Sequence, residues 1–414
     1  MSGKTYYVHK NMIDIKLLRE NLEKNRELLG RRGVSSSDVD KIVDLDSKKR
    51  LLTTEVQSLR EDKNKISSVR PYNVDKAKEI KIELKEKEAQ LKEVENEFDK
   101  IYLTLPNIPF EDVPVGKDDS NNKVIETIGK IPEFRFKAKD HTELAGDDVD
   151  LKRAAKTSGA RFVILKNDIA KLEFAIMNMV LDLLDKNNFE IVIPPTLITS
   201  DAMKGTGHAD TQEELDERYY LPKNDLFLVG TSEQSVAPMH SGENLKEAKR
   251  YVAFSSCFRE EAGSYGKDTK GMFRLHQFDK LEMFIIAKPE DSDKELKFLM
   301  EMEKKIMNML EIPYRLVHLC TGDICRPAAC TYDVEGWFPA QEKYRELMSA
   351  SNCTDFQSRR LKIKINNELA HTLNATAVAM SRMIIALVEN HQQKDGRVLI
   401  PKALRKYLGK KFIF

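Results

Sequence analysis

No apolar run in this chain approaches the roughly 18 residues needed to cross a bilayer, so no membrane span is expected. The first ten residues, Met1 to Lys10, lack the apolar stretch of a secretory signal. Cysteines are few: Cys257, Cys320, Cys325, Cys330 and Cys353. An odd number without paired spacing argues against a disulfide framework and for a reducing compartment. Cys320, Cys325 and Cys330 recur every five residues, but that interval fits no common zinc pattern. The expected setting is the cytoplasm, with no membrane partner. Net charge is also nearly absent, at +1, so a nucleic-acid partner would have to be met by local basic patches.

Familiar phosphate cradles are missing too. The stretch Gly263 to Gly271 lacks Walker spacing, and Gly205-Thr206-Gly207 lacks a third glycine. There is no serine nucleophile elbow and no zinc-protease helix. Strands and helices do not alternate regularly, which disfavours a doubly wound nucleotide fold. A nucleotide bound here must be held by side chains. Arginine suits that task, because its planar fork meets phosphate at two points.

What is present is length and helix. The 414 residues allow two or three domains, 41% hydrophobic content allows a sizeable core, and 33% charged content suggests long solvated helices. Met12 to Leu29 reads as one amphipathic helix ended by Gly30 and Gly33, after which Ser35, Ser36 and Ser37 offer N-caps. Leu45, Leu52, Leu59 and Ile66 then keep a seven-residue spacing, with Val56 between. Pro71 and Asn73 mark a turn. Ile80, Leu84, Leu91, Val94, Phe98, Ile101 and Leu105 follow at three-, four- or seven-residue steps. Two such helices predict an antiparallel coiled coil over residues 39–105, an arm on the order of 45 Å long. An arm of that length projects, so it dimerises, spaces or grips a partner. Its outer Lys48, Lys49, Arg50, Arg60, Lys63, Lys65 and Arg70 are interleaved with acids, which by itself reads as a solvated face. The proline-rich Leu105 to Gly116 is a domain boundary, predicting domains at 1–110 and 111–414.

The second domain reads as α+β, an antiparallel sheet flanked by helices. Helices are predicted over Ala170–Asp185, Lys294–Leu310 and Ala375–Gln392. Strands are predicted over Ile191–Ile193, Arg250–Phe254, Phe273–Phe278 and Leu281–Ala287.

Phe258-Arg259-Glu260-Glu261-Ala262-Gly263-Ser264, a loop Tyr265 to Gly271, and Arg274-Leu275-His276-Gln277-Phe278-Asp279-Lys280-Leu281-Glu282 read as two strands around a glycine-rich turn. Such a hairpin alone could be a salt-bridged surface feature. The block, however, resembles motif 2 of class II aminoacyl-tRNA synthetases in its seryl-tRNA synthetase form. Three further blocks keep the family's order. Thr231-Ser232-Glu233 resembles its serine-binding Thr-x-Glu. Glu346 and Ser349, then Asp355-Phe356-Gln357 and Arg359-Arg360, resemble its metal-binding segment and the run behind it. His371-Thr372-Leu373-Asn374 through Arg382 resembles motif 3. Pro195 resembles the motif 1 proline at the family's dimer interface. The likeness covers nearly the whole chain.

The resemblance implies an N-terminal tRNA-binding domain and a C-terminal catalytic domain that activates L-serine with ATP and Mg²⁺ and then charges tRNA(Ser). It leaves open tRNA(Sec). It implies Arg259, Arg274 and Arg382 as catalytic residues, with Arg259 on the α-phosphate and the serine carboxylate. It implies ATP contacts from Arg259, Glu260, Glu261, Arg274, Phe278, Glu346, Leu347, Met348, Ser349 and Arg382. Glu261 would meet the adenine amino group, and Phe278 and Arg382 would stack on its two faces. Serine would be held by Thr231, Ser232, Glu233, Arg259, Glu282, Asn374 and Thr376. Glu346 and Ser349 would take the metal. The arm would grip the long variable arm of the tRNA, in a homodimer. A carrier-protein aminoacylating homologue would lack the arm, and an inactive paralogue would have lost its arginines.

Some positions depart from the common pattern. Ala375, Ala377 and Ser381 stand at motif 3 glycine positions, Thr376 stands at its serine and keeps the hydroxyl, Met348 replaces a serine, and Asn188 stands at a motif 1 glycine. Cys330 and Thr331 stand where many relatives carry Lys or Arg.

Overall fold

The computed structural model describes residues 13–68, 74–261 and 270–414. Met1 to Asn11, Arg70, the Pro71 and Asn73 turn, and loop residues Ala262 to Thr269 lie outside these. Among the described residues two compact units separate, one ending at Ile108 and one beginning at Pro109.

The first unit is helical. The single helix expected from Met12 to Leu29 is instead two, α1 (Ile15–Glu20) and α2 (Leu22–Arg31). Asn21 interrupts the run with φ −134° and ψ 52°. Asparagine offers its backbone non-helical alternatives, and Asn25 Nδ2 donates to Leu17 O across the break at 2.8 Å. Gly30 stays inside α2; the stop comes at Gly33, whose φ is 82°. Ser35 Oγ accepts the Asp38 amide at 3.1 Å, opening α3 (Ser36–Ser68) as the serine run predicts.

Helix α3 pairs with α4 (Val74–Tyr102). Val39, Ile42, Leu45, Leu52 and Val56 are buried against Ile80, Leu84, Phe98 and Tyr102. Leu59, Ile66, Leu91 and Val94 are only half-buried, because two helices alone cannot enclose a seam. Leu105 lies beyond the end of α4 and is buried outside it. The ion pair Lys41–Glu97 at 2.7 Å joins early α3 to late α4, and Glu55–Lys87 and Arg60–Glu88, both at 2.7 Å, join later α3 to the middle of α4, so the helices run antiparallel. Such exposed pairs are each worth about 0–1 kcal/mol, enough to favour a register but not to drive the pairing.

The second unit is built on eight strands: β1 (Lys123–Ile128), β2 (Glu190–Val192), β3 (Lys249–Phe258), β4 (Gln277–Ala287), β5 (Tyr314–His318), β6 (Cys330–Phe338), β7 (Lys343–Asn352) and β8 (His371–Ala379). Their order is β1-β5-β6-β7-β8-β4-β3-β2. All neighbours are antiparallel except the edge pair β2 and β3, a parallel exception to the sheet expected. The apolar run of β4 serves both faces by alternation. Met283, Ile285 and Ala287 join the large cluster with helices α5 (Asn167–Asp185), α6 (Ser292–Met309) and α7 (Met380–Asn390). Phe284 and Ile286 join a smaller cluster with Leu361 and Ile363 on the other face. No described helix is long and apolar enough to cross a membrane.

Two expected elements differ. Phe273–His276 is not strand: the chain runs through turns and bends there although burial still alternates, and β4 begins at Gln277. Residues 375–379 are strand, not helix. Leu373, Ala375 and Ala377 face the large cluster while Asn374 and Thr376 face away, a period of two that the small alanines disguise.

A buried acid on α6 has a measurable effect. Glu303 is fully buried, and neither carboxyl oxygen has a hydrogen-bond partner. Burial first, then the charges of Asp333 and Glu282, raise its pKa well above the ordinary value. The folded protein therefore holds a proton that the unfolded chain releases, and this acid makes stability fall as pH rises above about 4.3. Glu303→Gln is expected to be more stable than the parent at pH 8 and equal near pH 4. The difference should grow by up to about 1.4 kcal/mol per pH unit in urea unfolding. Equal midpoints at both pH values would contradict the assignment.

Candidate active site

The face of β4 opposite the large cluster carries Phe278, Lys280 and Glu282, at the strand period of two. Beside them opens a cleft lined by Arg259, Glu261, Phe273, Arg274, Leu275, Phe278, Lys280, Glu346, Leu347, Thr376, Ala379, Ser381 and Arg382. The three arginines singled out by sequence therefore share one cleft with Phe278 and Glu346.

Two bulges make this convergence possible. In β7, Met348 pairs with Val334 and Glu346 with Glu335, leaving Leu347 unpaired. Leu347 and Met348 both join the large cluster, so Glu346 and Ser349, three residues apart, share the opposite face. In β8, Val378 pairs with Leu281 and Thr376 with Glu282, leaving Ala377 unpaired. Ala377 and Val378 both turn to the large cluster, and Thr376 and Ala379 both reach the cleft.

Arg259 follows β3 directly. Its amide donates to His276 O at 3.0 Å and its carbonyl meets His276 Nδ1 at 2.9 Å, so His276 has a structural role. The guanidinium donates through Nε and Nη2 to Gly230 O at 3.3 and 3.2 Å and lies 5.4 Å from the centre of the Phe278 ring. Arg274 donates to the Glu261 carboxylate. Glu261 has a φ of 54°, a left-handed turn that begins the loop. Arg382 Nη1 donates to Glu346 Oε2 at 2.9 Å and to Glu346 O at 3.1 Å. Crowding by protein opposes ionisation of Glu346, but Arg382, Arg259 and Lys280 outweigh it and hold the carboxyl below its usual value. Arg382 covers Phe273 at 5.0 Å, not Phe278.

Next to this cleft lies a buried polar knot. Asn374 Nδ2 donates to Glu233 Oε2 at 2.9 Å and to Glu282 Oε1 at 3.4 Å. Thr376 Oγ1 donates to Glu282 Oε2 at 3.5 Å, and Lys280 Nζ lies 2.5 Å from the same oxygen. Gln357 Nε2 donates to Glu233 Oε1 at 2.6 Å and is itself held by Thr372. Burial, reinforced by Glu233, raises the Glu282 pKa. Glu233 is held low: burial opposes this, but His208, Gln357 and Lys280 prevail. Two carboxylates facing one pocket favour a cation between them, and the amide and hydroxyl beside them suit a small polar group.

Other candidates stand elsewhere. Ser232 is fully buried and donates to Ala253 O at 3.3 Å, tying its segment to β3. Thr231 Oγ1 accepts the Glu233 amide at 3.4 Å. Met348 has its side chain in the large cluster and does not reach the cleft: the bulge at Leu347 turns it to the core. Glu260 is not among the cleft residues; burial first, then the Glu260 carboxylate, raise the pKa of Tyr219. Asn188 has a φ of 63°, a conformation asparagine tolerates in place of glycine. Cys330 and Thr331 are both buried. Cys330 Sγ lies 3.4 Å from His318 Nε2 and Thr331 Oγ1 bonds Ser351 Oγ at 2.9 Å, so neither reaches the cleft.

Sequence reading missed the frame behind the pocket. Arg326 and Arg360 both bind Asp210, and Arg326 also binds Glu214. This pins the segment around Gly207, whose φ is 83° and where a Cβ would meet Phe356 at 2.7 Å. Its acids and its arginines are over a hundred residues apart, so no local pattern marks the pairing, although Arg360 itself stands in the Arg359-Arg360 run. Lys280 was missed as well, although its two-residue spacing to Phe278 and Glu282 could have marked it.

Residues 12–109 match the seryl-tRNA synthetase N-terminal domain, and 218–391 match the tRNA synthetase class II core domain (G, H, P, S and T). The serine–tRNA ligase of Nitrosopumilus maritimus is 40% identical over 96% of this chain and 99% of its own length. That of Syntrophotalea carbinolica is 39% identical over 96% and 98%. Among solved structures, seryl-tRNA synthetase from Pyrococcus horikoshii complexed with ATP superposes with a TM-score of 0.91 at 38% identity, covering 97% of this chain and 99% of that one. The cytoplasmic serine–tRNA ligase of Naegleria fowleri in complex with AMP gives 0.88 at 32% identity, covering 98% and 99%. With two domain matches in order and full-length relatives at this identity, the chain belongs to the seryl-tRNA synthetase family.

Proposed function

We propose that this protein joins L-serine to tRNA(Ser) at the expense of ATP. The observation that carries this reading is the buried Glu233–Asn374–Glu282–Thr376 knot set beside a cleft with three arginines. Serine's ammonium lies between the two carboxylates, and its hydroxyl is held by the polar groups of the same knot. A site that hydrogen-bonds a hydroxyl rejects alanine strongly, because its own buried groups would be left unpaired.

In the first step the serine carboxylate attacks the α-phosphorus of ATP. A new P–O bond forms, the bond to the bridging oxygen breaks, and pyrophosphate leaves with that electron pair. Arg259 stabilises the charge at the reacting phosphorus, while Arg274 and Arg382 receive the outer phosphates. Both arginines line the cleft and are held there by carboxylates, Arg274 by Glu261 and Arg382 by Glu346, which supports their exchanging carboxylate for phosphate. Phe278 takes the adenine. In the second step a 3′-terminal ribose hydroxyl attacks the acyl carbon, and AMP leaves.

Mg²⁺ suits the oxygens of Glu346 and Ser349, which the β7 bulge sets on one face. Among the described residues no group of three or more His, Cys, Asp or Glu could hold a metal, so phosphate must supply further ligands, as is common for Mg²⁺. Bound there, the ion would neutralise phosphate charge.

The α3–α4 arm grips tRNA, and the protein works as a homodimer in the cytoplasm. Exposed Ile191, Ile193 and Leu197 flank Pro195 in and after the open edge strand β2 and support a self-association surface. Replacing Arg50–Lys92 with two glycines should leave serine-dependent ATP–pyrophosphate exchange within about twofold. It should lower kcat/KM for tRNA charging about 100-fold or more, by removing several phosphate contacts. Equal charging by the shortened protein would rule out the arm's role. The activity itself is tested by ATP–pyrophosphate exchange with each amino acid in turn; no exchange with serine would overturn the assignment.

A further inference from the structure

The backbone of Glu217 runs beside the start of the loop, its carbonyl accepting the Glu260 amide at 3.2 Å. This carries the next residue, Arg218, to Gly230. A Cβ built on Gly230 would sit 3.0 Å from Arg218 Nη1 and 3.6 Å from Arg259 Cγ. Arg259 meanwhile grips the Gly230 carbonyl. Two guanidiniums therefore meet over one glycine, immediately before Thr231.

This arrangement is electrostatically incomplete. Arg218 Nε is buried without a hydrogen-bond partner. Burial first, then the charge of Arg259, push the Arg218 pKa down to about 10, although Glu214, Glu217 and Glu233 oppose this. Like charges held together with an unused buried donor are stabilised by an anion that enters between them. The side of the site is also defined. The acids acting on Arg218 include Glu233, from the polar knot, and Arg218 is not among the residues of the cleft that holds Phe278, Arg274 and Arg382.

We propose that Arg218 is a second carboxylate-binding residue, which with Arg259 clamps the carboxylate of the incoming amino acid beside Gly230. This rests on the serine-activation reading above and deepens it. One guanidinium fixes the attacking carboxylate while the other faces the α-phosphate, so Arg259 need not serve both anions alone. Arg218 selects for a free carboxylate, the group that must attack phosphorus.

The test uses the full-length protein with Arg218→Gln and Arg218→Lys, and two readouts. In serine-dependent ATP–pyrophosphate exchange, Arg218→Gln should raise KM for serine about tenfold or more and leave KM for ATP within about twofold, and Arg218→Lys should fall between. Calorimetric binding of serine and of serinamide, which keeps the ammonium and hydroxyl but has a neutral amide, should show the parent's preference for serine reduced about tenfold in Arg218→Gln. A variant that merely loosened the pocket would weaken both ligands alike, leaving the preference unchanged and overturning the proposal. A raised KM for ATP with unchanged KM for serine would move Arg218 to the α-phosphate and also overturn it. If Arg218→Gln does not fold, Arg218→Lys decides by the same ratio. Absence of serine exchange in the parent would sink the activity itself, whereas an active parent with an unaffected variant would sink only the role of Arg218.

Discussion

Arg259→Ala is expected to lower kcat/KM for serine-dependent ATP–pyrophosphate exchange by about 1,000-fold or more. Removing one neutral donor that faces developing charge typically costs about 100- to 1,000-fold. Arg259 offers a full charge and several donors, and it is already positioned. Two of its nitrogens hold the Gly230 carbonyl, and the Phe278 ring lies beneath the guanidinium. Positioning before reaction is what makes such a group effective, since nothing has to reorganise when charge develops. Arg259→Lys should recover part of the loss, because an ammonium supplies charge without the planar fork. The fold should be almost unaffected, with a melting temperature within about 2 °C of the parent, since the side chain is half-buried at a cleft edge. A fall of less than about tenfold would remove Arg259 from the reacting phosphorus.

The second large effect is on stability. Asp210→Ala should cost about 3–5 kcal/mol in denaturant unfolding of the second unit, the usual penalty for leaving buried charge uncompensated. Asp210 accepts from Arg326 Nη2 and from Arg360 Nη2. Arg360 is 2% exposed, and its Nε and Nη1 have no partner. Burial already lowers the Arg360 pKa, and Asp210 is the main group opposing that shift. Without Asp210, two guanidiniums would share Glu214, whose carboxylate bonds Arg326 but not Arg360 and already accepts the amides of residues 210 and 211. Because this frame fixes residues 207–214, which lead into the pocket, serine exchange should weaken as well. A loss under about 1 kcal/mol would mean that the network is not the frame of the pocket.

The difference between these two residues reflects what a sequence can reveal. Arg259 was legible because it stands in a block of unusual residues that resembles motif 2, and the structure brings it into one cleft with Arg274, Phe278, Glu346 and Arg382. Asp210 was not. Its partners lie 116 and 150 residues away, and a lone aspartate in a polar stretch carries no pattern. The long heptad helices were legible because one period repeats over many turns. The Asn21 break was not, because a single residue decided it. The segment from Ala375 was misread as helix because alanine favours helices intrinsically, whereas here small side chains are needed where two strands carry core on one face and substrate groups on the other. Leu347 and Met348 could not be assigned to faces from sequence, since strand alternation fails at a bulge that only the partner strand defines.

Those bulges have an evolutionary consequence. Each unpaired residue, Leu347 in β7 and Ala377 in β8, resets which side chains face outward beyond it. The stretch of β8 before Ala377 presents Asn374 and Thr376, and the stretch after it presents Ala379 and leads to Arg382. The two stretches are therefore indexed independently. Substitutions before the bulge can alter which amino acid fits without shifting the residues beyond it. Deleting Ala377 would instead invert the outward faces of the two stretches relative to one another in a single step. A scaffold with such an index point can diversify in the small molecule it selects while its high-energy chemistry stays fixed.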